Sequence, residues 1–155
     1  MKICGHGLRD HLRLLAPLLV LMAAVWALRI VLYASGAPHL VMRWCSVTVA
    51  GAACVMLAGF LIHVRRFGSY PNVVLATFLI VCCQQLLIIV AIAFAVFTGT
   101  QNVYVAPEFS GRYSPAAHII GHLTFGLGFG TLFGSAMGCL LLWLLRKLVP
   151  LPARQ

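Results

Sequence analysis

The sequence predicts an all-α integral membrane protein with four transmembrane helices in one bundle, and three observations support this. Of the 155 residues, 63% are hydrophobic and only 8% are charged, whereas a soluble domain carries about a quarter charged residues. Four apolar stretches are each long enough to cross a hydrocarbon core about 30 Å thick, which takes about 20 helical residues. None shows the alternation of a membrane β-strand. We therefore expect a single transmembrane domain over residues 1–155.

The four predicted spans, called first to fourth in chain order, follow the apolar runs. They cover about 14–34, 44–64, 73–97 and 115–145, with a long outer loop at 98–114. In lipid each backbone amide has to be paired within its own segment, so these runs must be helical. The first run exceeds the 7–15 residues of a signal-peptide core, and we expect it to remain as a span.

Basic residues predict the orientation of the spans. Two of them, Arg43 and Arg112, fall in the connections on one side, whereas eight fall on the other: Lys2, Arg9, Arg13, Arg65, Arg66, Arg146, Lys147 and Arg154. The positive-inside rule then places the N-terminus and the C-terminus in the cytoplasm. Short loops without a glycosylation acceptor favour a bacterial inner membrane. The formal charge of +9 suits the anionic surface of the lipid bilayer and does not indicate nucleic-acid binding.

Small residues at four-residue spacing predict close helix packing. The fourth span carries Gly126, Gly130, Gly134 and Gly138, and the second span carries Ala50, Cys54 and Ala58. Glycine costs up to about 1 kcal/mol in a helix relative to alanine, and membrane helices use it for close backbone approach. We expect the second and fourth spans to cross closely. The same ridge would also suit contact with another chain or the lining of a pore in an oligomer.

The amide and guanidinium side chains inside the predicted spans need explanation. Gln84 and Gln85 lie at mid-depth in the third span and need hydrogen-bond partners. Adjacent helical residues point about 100° apart, so we expect one amide to bond within the bundle and the other at an oligomer interface. Arg29 is deep enough in the first span to extend towards the outer headgroups. Alternatively, it is a counter-ion for an anionic substrate or lipid.

The acidic residues exclude several classes of membrane enzyme and transporter. Asp10 and Glu108 are the only carboxylates, and neither lies within a predicted span. A proton-coupled exporter would need a carboxylate inside the bundle, and a Mg²⁺-dependent transferase would need several together.

Histidines offer the remaining chemistry. His118 and His122 are four residues apart and share a helix face, and His39 and Glu108 are expected at the same end. Such a set would suit a transition metal, and haem with axial histidines is a further possibility. The competing interpretation is ordinary interfacial hydrogen bonding. A four-residue row drifts by about 40° per turn, so the pair is expected to face away from Gly134 and Gly138.

These features predict a small, non-catalytic membrane protein that self-associates or serves as an accessory subunit of a larger membrane complex. One alternative is a metal- or haem-binding redox protein with His118, His122 and His39 at the outer face. A second alternative is an oligomeric transporter or channel with glycine-faced helices.

Overall fold

The computed structural model describes residues 2–3, 5–111 and 113–149. It is 81% helical, and a short antiparallel hairpin pairs Lys2 with Gly7 and Ile3 with His6. Arg112 and Arg154, counted above for the orientation, lie outside the described residues. The elements, in chain order, are β1 Lys2–Ile3, β2 His6–Gly7, α1 Leu8–Ala34, α2 His39–Trp44, α3 Val47–Val64, α4 Tyr70–Thr98, α5 Pro107–Ser110, α6 Pro115–Gly121, a π-helical turn His122–Gly126, and α7 Leu127–Leu148.

Four helical stretches of the described chain are long and apolar enough to cross a membrane, as the sequence predicts. They are Leu8–Ala34, His39–Val64, Tyr70–Thr98 and Pro115–Leu148. Each is longer than the corresponding predicted span. The prediction of an all-α bundle with four such helices is therefore confirmed.

The first span begins six residues earlier than predicted, because polar contacts stabilise its first turn. The amide of Gly7 donates to Oδ2 of Asp10 at 2.8 Å, an N-terminal carboxylate contact that also suits the helix dipole. Nδ1 of His11 donates to the Gly7 carbonyl at 2.8 Å, and its Nε2 lies 3.2 Å from Oδ1 of Asn72 in α4. His11 is fully buried, so the helix start is also attached to the third span.

The second span is two helices with a break between them. Cys45 adopts φ −79° and ψ 48°, which ends α2. The Ser46 hydroxyl then accepts a hydrogen bond from the Val49 amide at 3.1 Å. A serine N-cap of this kind satisfies one of the free amides at a helix start. The predicted span at 44–64 therefore corresponds to α3, with α2 as an additional turn before it.

The second and third spans form the centre of the bundle. Helices α1 and α7 each pack against both α3 and α4. Each span contains an 18-residue segment that is its most apolar part. The buried share of that segment is 44% in the second and third spans, 22% in the first and 11% in the fourth. The fourth span is therefore the one least covered by the other three.

The glycine row of the fourth span mainly faces α4. A methyl group added to Gly126, Gly130, Gly134 or Gly138 would first meet Gln85, Val81, Thr77 or Val73, respectively. The two series run in opposite directions at matching four-residue intervals. This register lets the two antiparallel helices approach closely along their length.

The second span approaches the fourth through residues other than the predicted ridge. A methyl group on Gly59 would lie 3.3 Å from the Gly138 carbonyl oxygen, and one on Gly138 would lie 3.5 Å from Cγ1 of Val55. Cys54 instead donates to the Leu18 carbonyl in α1 at 3.5 Å, and Ala58 is buried beside it on α3. Spacing alone did not indicate which face of α3 would meet which neighbour.

Candidate functional site

A polar cavity lies at the end of the bundle where the sequence predicts the outer face, and it is called the outer cavity here. Its volume is about 260 Å³. It brings together residues from the first, second, third and fourth spans and from the 98–114 loop. Its lining consists of Arg29, Arg43, Ser46, Thr48, Ile88, Val103, Tyr104, Phe109, His118 and His122.

The 98–114 loop folds back into the bundle and closes one wall of the outer cavity. Asn102 Nδ2 donates to the Ala91 carbonyl at 2.8 Å, and Asn102 Oδ1 accepts from the Tyr104 amide at 2.9 Å. Val103 and Tyr104 are consequently buried. The sequence predicted that this loop would bring Glu108 to the site and missed Val103 and Tyr104, although the apolar run from Val103 to Ala106 was a signal that the loop packs inwards.

Arg29 lies inside the outer cavity. Its guanidinium carbon is 5.1 Å from the centroid of the Tyr104 ring and 5.6 Å from that of Phe109. Both are cation–π distances. The sequence left open whether Arg29 extends to headgroups or serves as a counter-ion, and in the structure its charge is held beneath the loop.

The two predicted histidines of the fourth span are in direct contact. His118 Nε2 is 3.1 Å from His122 Nε2, and His122 Nδ1 is 2.7 Å from Oε1 of Gln85. Because the amide oxygen only accepts, Nδ1 of His122 carries the proton in this contact. A neutral His122 would then present the lone pair of Nε2 towards His118.

The π-helical turn at His122–Gly126 explains why His122 faces α4. An α-helix would rotate the histidines away from the later glycines, as the sequence predicted. A π-turn uses i→i+5 hydrogen bonds and occurs frequently at functional sites. In the structure His122 meets Gln85 of α4, and Gly134 and Gly138 face Thr77 and Val73 of the same helix. The expectation of a different direction is therefore wrong for His122.

Both glutamines are buried inside the chain, which corrects the prediction that one would lie at an oligomer interface. Gln85 is 6% exposed and Gln84 is 8% exposed. The Gln84 side chain occupies the space beside Gly51 of α3, where a methyl group would overlap it. The absence of a side chain at Gly51 therefore makes room for the second amide.

His39 does not join the other two histidines in the outer cavity. Its ring stacks on Phe109 at 4.8 Å with an interplanar angle of 12°. Within the described part of the chain, no three His, Cys, Asp or Glu side chains are grouped closely enough to hold a metal ion. Glu108, the carboxylate expected at this end, lies in the first turn of α5 and is not among the lining residues.

The His118 and His122 pair alone could supply two adjacent ligands to a metal. Two imidazole nitrogens bound to one zinc ion lie 2.0–2.1 Å from it. They are then about 3 Å from each other when they occupy adjacent coordination positions and about 4 Å when they occupy opposite ones. The observed 3.1 Å fits adjacent positions, whereas axial ligation of one haem by both histidines requires opposite ones.

The outer cavity combines positive charge with buried hydrogen-bond donors. Its lining includes two arginines and no carboxylate. Among the described residues, Arg29 Nε is buried without a hydrogen-bond partner, and the buried Tyr104 hydroxyl has only the Arg29 side chain beside it, although buried polar groups are normally paired. Burial raises the pKa of the Tyr104 phenol, and the neighbouring Arg29 opposes part of this shift. The phenol therefore stays protonated at neutral pH and is available as a hydrogen-bond donor.

Known proteins provide no template for this site. No family model, curated protein or solved structure shows significant similarity to the chain. The chemistry of the outer cavity therefore has to be inferred from its own residues and distances.

Proposed function

We propose that the chain is an integral membrane protein with both termini in the cytoplasm, most consistent with a bacterial inner membrane. Four helices of sufficient length and apolarity support insertion. Their uncovered apolar side chains, such as Phe97, Phe125 and Leu132, would be covered by lipid. The excess of basic residues on one side supports the orientation.

Cysteine labelling in intact cells tests this orientation. Thr100 and Arg65 are both exposed and lie at opposite ends of the bundle. After the native cysteines are replaced, a membrane-impermeant thiol reagent should label Thr100→Cys in intact cells and Arg65→Cys only after lysis. The reverse pattern would invert the proposed topology.

We further propose that the protein is a non-catalytic binder of an anionic ligand at the outer cavity. The observation that carries this proposal is that Arg29, Arg43, His118 and His122 surround one cavity whose lining contains no carboxylate. Arg43 is exposed, whereas Arg29 is only partly exposed and its Nε is buried. Positive charge without a counter-charge is costly in a medium of low dielectric constant, so this argument applies to Arg29. The oxygens of an anion would neutralise that charge and would accept hydrogen bonds from Arg29 Nε and the Tyr104 hydroxyl.

Equilibrium dialysis with inorganic phosphate and the protein in neutral detergent tests this binding. Arg29→Gln should weaken binding at least about tenfold, since a hydrogen bond to a charged group contributes about 1.5–3 kcal/mol. Arg9→Gln is the matched control, because Arg9 is exposed on the same helix at the opposite end and its loss changes the net charge equally. Equal weakening in both variants would indicate general charge attraction and would refute a site at Arg29.

A metal-binding function is the second candidate, favoured by the 3.1 Å separation of the two imidazole nitrogens. The arginines of the same cavity oppose a cation, which is why we prefer the anion. Metal content and absorption spectra of the protein from its native membrane discriminate the two. About one metal per chain that is lost in His118→Ala/His122→Ala would favour the metal, and a metal-free, colourless protein would favour the anion site.

Self-association or membership of a larger complex remains part of the proposed function. The low burial of the fourth span, at 11%, favours a partner at its uncovered face. Cross-linking in native membranes that recovers only the monomer would argue against any partner.

A further inference from the structure

The two histidines of the outer cavity also line a second depression along the fourth span. This depression, called the glycine groove here, has a volume of about 490 Å³. It is lined by Tyr113, Ala117, His118, Gly121, His122, Phe125 and Gly126. His118 and His122 are therefore the wall shared by a basic cavity and a largely apolar groove.

The glycine groove is open, and among residues 2–3, 5–111 and 113–149 no side chain fills the space beside Gly121. A methyl group built on Gly121 would meet nothing within 4 Å, and Phe125 is 81% exposed. The groove begins near Pro115, at the end of the fourth span where the sequence predicts the bilayer interface. An apolar groove at that depth would be accessible from the hydrocarbon region, whereas the outer cavity has the charge to hold an anionic headgroup.

We propose that the ligand of the outer cavity is an anionic amphiphile, which enters sideways from the bilayer. Its carboxylate or phosphate head binds between Arg29, Arg43 and Tyr104, and its hydrocarbon chain lies in the glycine groove beside Gly121. This inference rests on the proposed anion-binding function. Charge complementarity in the cavity identifies the head, and the unfilled groove next to it accounts for the chain.

The adjacent histidines explain how one ligand can occupy both depressions. His118 and His122 contact each other at 3.1 Å, and Gln85 holds His122 at 2.7 Å. Their imidazoles thus form a thin polar partition between head and chain. A ligand with a polar head attached directly to a hydrocarbon chain fits a basic cavity next to an apolar groove. A free inorganic ion would occupy the outer cavity alone.

Displacement of bound radioactive phosphate by head-matched pairs of compounds tests the inference. The pairs are acetate with oleate and methyl phosphate with dodecyl phosphate, all added in the same neutral detergent. For the wild-type protein, the long-chain member of at least one pair should displace phosphate at a concentration at least about tenfold lower than its short partner. The more effective pair identifies the head as carboxylate or phosphate.

Variants that fill the groove make the test specific. Gly121→Leu should weaken displacement by the long-chain compound about tenfold, the scale of losing contacts to one or two methylene groups, and should leave the short compounds unchanged. Gly128→Leu is the matched control, since Gly128 also has open space around it and does not line the groove. Ala117→Leu at the exposed rim provides a second filling variant should Gly121→Leu fail to fold.

The outcomes separate this inference from the proposed function. Phosphate binding that depends on Arg29, combined with no long-chain advantage or no effect of either filling variant, would overturn the amphiphile and leave the anion site intact. Phosphate binding that is absent or independent of Arg29 would overturn both. A long-chain advantage that is lost in Gly121→Leu or Ala117→Leu and kept in Gly128→Leu would establish the amphiphile.

Discussion

Gly138→Ala should destabilise the protein because Gly138 lies where three helices meet. The new methyl carbon would be 2.8 Å from Cγ1 of Val73 and 3.5 Å from Cγ1 of Val55, and the Gly138 carbonyl oxygen already faces Gly59. Carbon atoms prefer separations of about 3.5–4.0 Å, so the overlap with Val73 is about 0.7 Å. Val73 is 1% exposed and stiff at χ1 in a helix, which prevents it from moving aside easily.

The size of the effect follows from comparison with Gly128→Ala on the same helix. A methyl group on Gly128 meets nothing within 4 Å, so that variant gains only helix propensity, up to about 1 kcal/mol. Gly138→Ala gains the same propensity and loses about 1–3 kcal/mol to overpacking. The propensity cancels in the difference, and Gly138→Ala should therefore be less stable than Gly128→Ala by about 1–3 kcal/mol.

Reversible unfolding in mixed micelles with increasing sodium dodecyl sulfate, followed by far-ultraviolet circular dichroism, measures this difference. Both variants are assayed at the same protein and detergent concentrations as the wild type. If Gly138→Ala is as stable as Gly128→Ala within about 0.5 kcal/mol, the scale of a neutral surface change, the close packing inferred at Gly138 is wrong.

Further predictions concern the hydrogen bonds and the phenol of the outer cavity. Gln85→Ala should destabilise the protein by about 1–3 kcal/mol, because Nδ1 of His122 loses its hydrogen-bond acceptor. A double-mutant cycle with His122→Ala should show a coupling free energy of at least about 0.5 kcal/mol. Additive effects of the two substitutions would disprove the contact. The pKa of Tyr104 is raised, so less than half of this phenol should be ionised at pH 10, near the usual tyrosine midpoint. The phenolate absorbance of the wild type at pH 10 should therefore exceed that of Tyr104→Phe by less than half the absorbance of one fully ionised tyrosine. A larger difference contradicts the burial of the phenol. Asn102→Ala should weaken phosphate binding by releasing the loop that carries Tyr104, whereas Gln101→Ala, an exposed neighbour, should not; equal effects would exclude this role for the loop.

The sequence was sufficient to predict the number and approximate extent of the spans. Each run of about 20 apolar residues must be buried in lipid or protein, and its backbone must be paired internally. The early start of α1 was missed because it depends on Asp10 and on the contact between His11 and Asn72, which are far apart in the chain. The helix α2 before the break at Cys45 was missed, because the predicted second span begins at residue 44, after the charged Arg43.

For the candidate site, the sequence supplied the residue types but not their grouping. Arg29, Gln85, His118 and His122 were all identified as unusual within an apolar chain. That Gln85 would bond to His122 could not be predicted, because spacing does not give the rotation of one helix against another. That Arg29 would lie beneath Tyr104 could not be predicted, because the sequence does not show how the outer loop 98–114 folds. His39 was expected with the other histidines, and its stacking on Phe109 depends on where α5 folds.

Composition and the lengths of the apolar runs thus determine that this chain is a bundle of four helices suited to a bilayer. Only the tertiary structure decides which face of each helix points inwards, since all faces are apolar and the hydrophobic pattern carries no rotational information. Close glycine contacts and a few buried polar pairs select the rotation instead. The π-turn at His122 is an example, because it aligns the histidines with the glycine row and so brings the outer cavity and the glycine groove to the same two side chains.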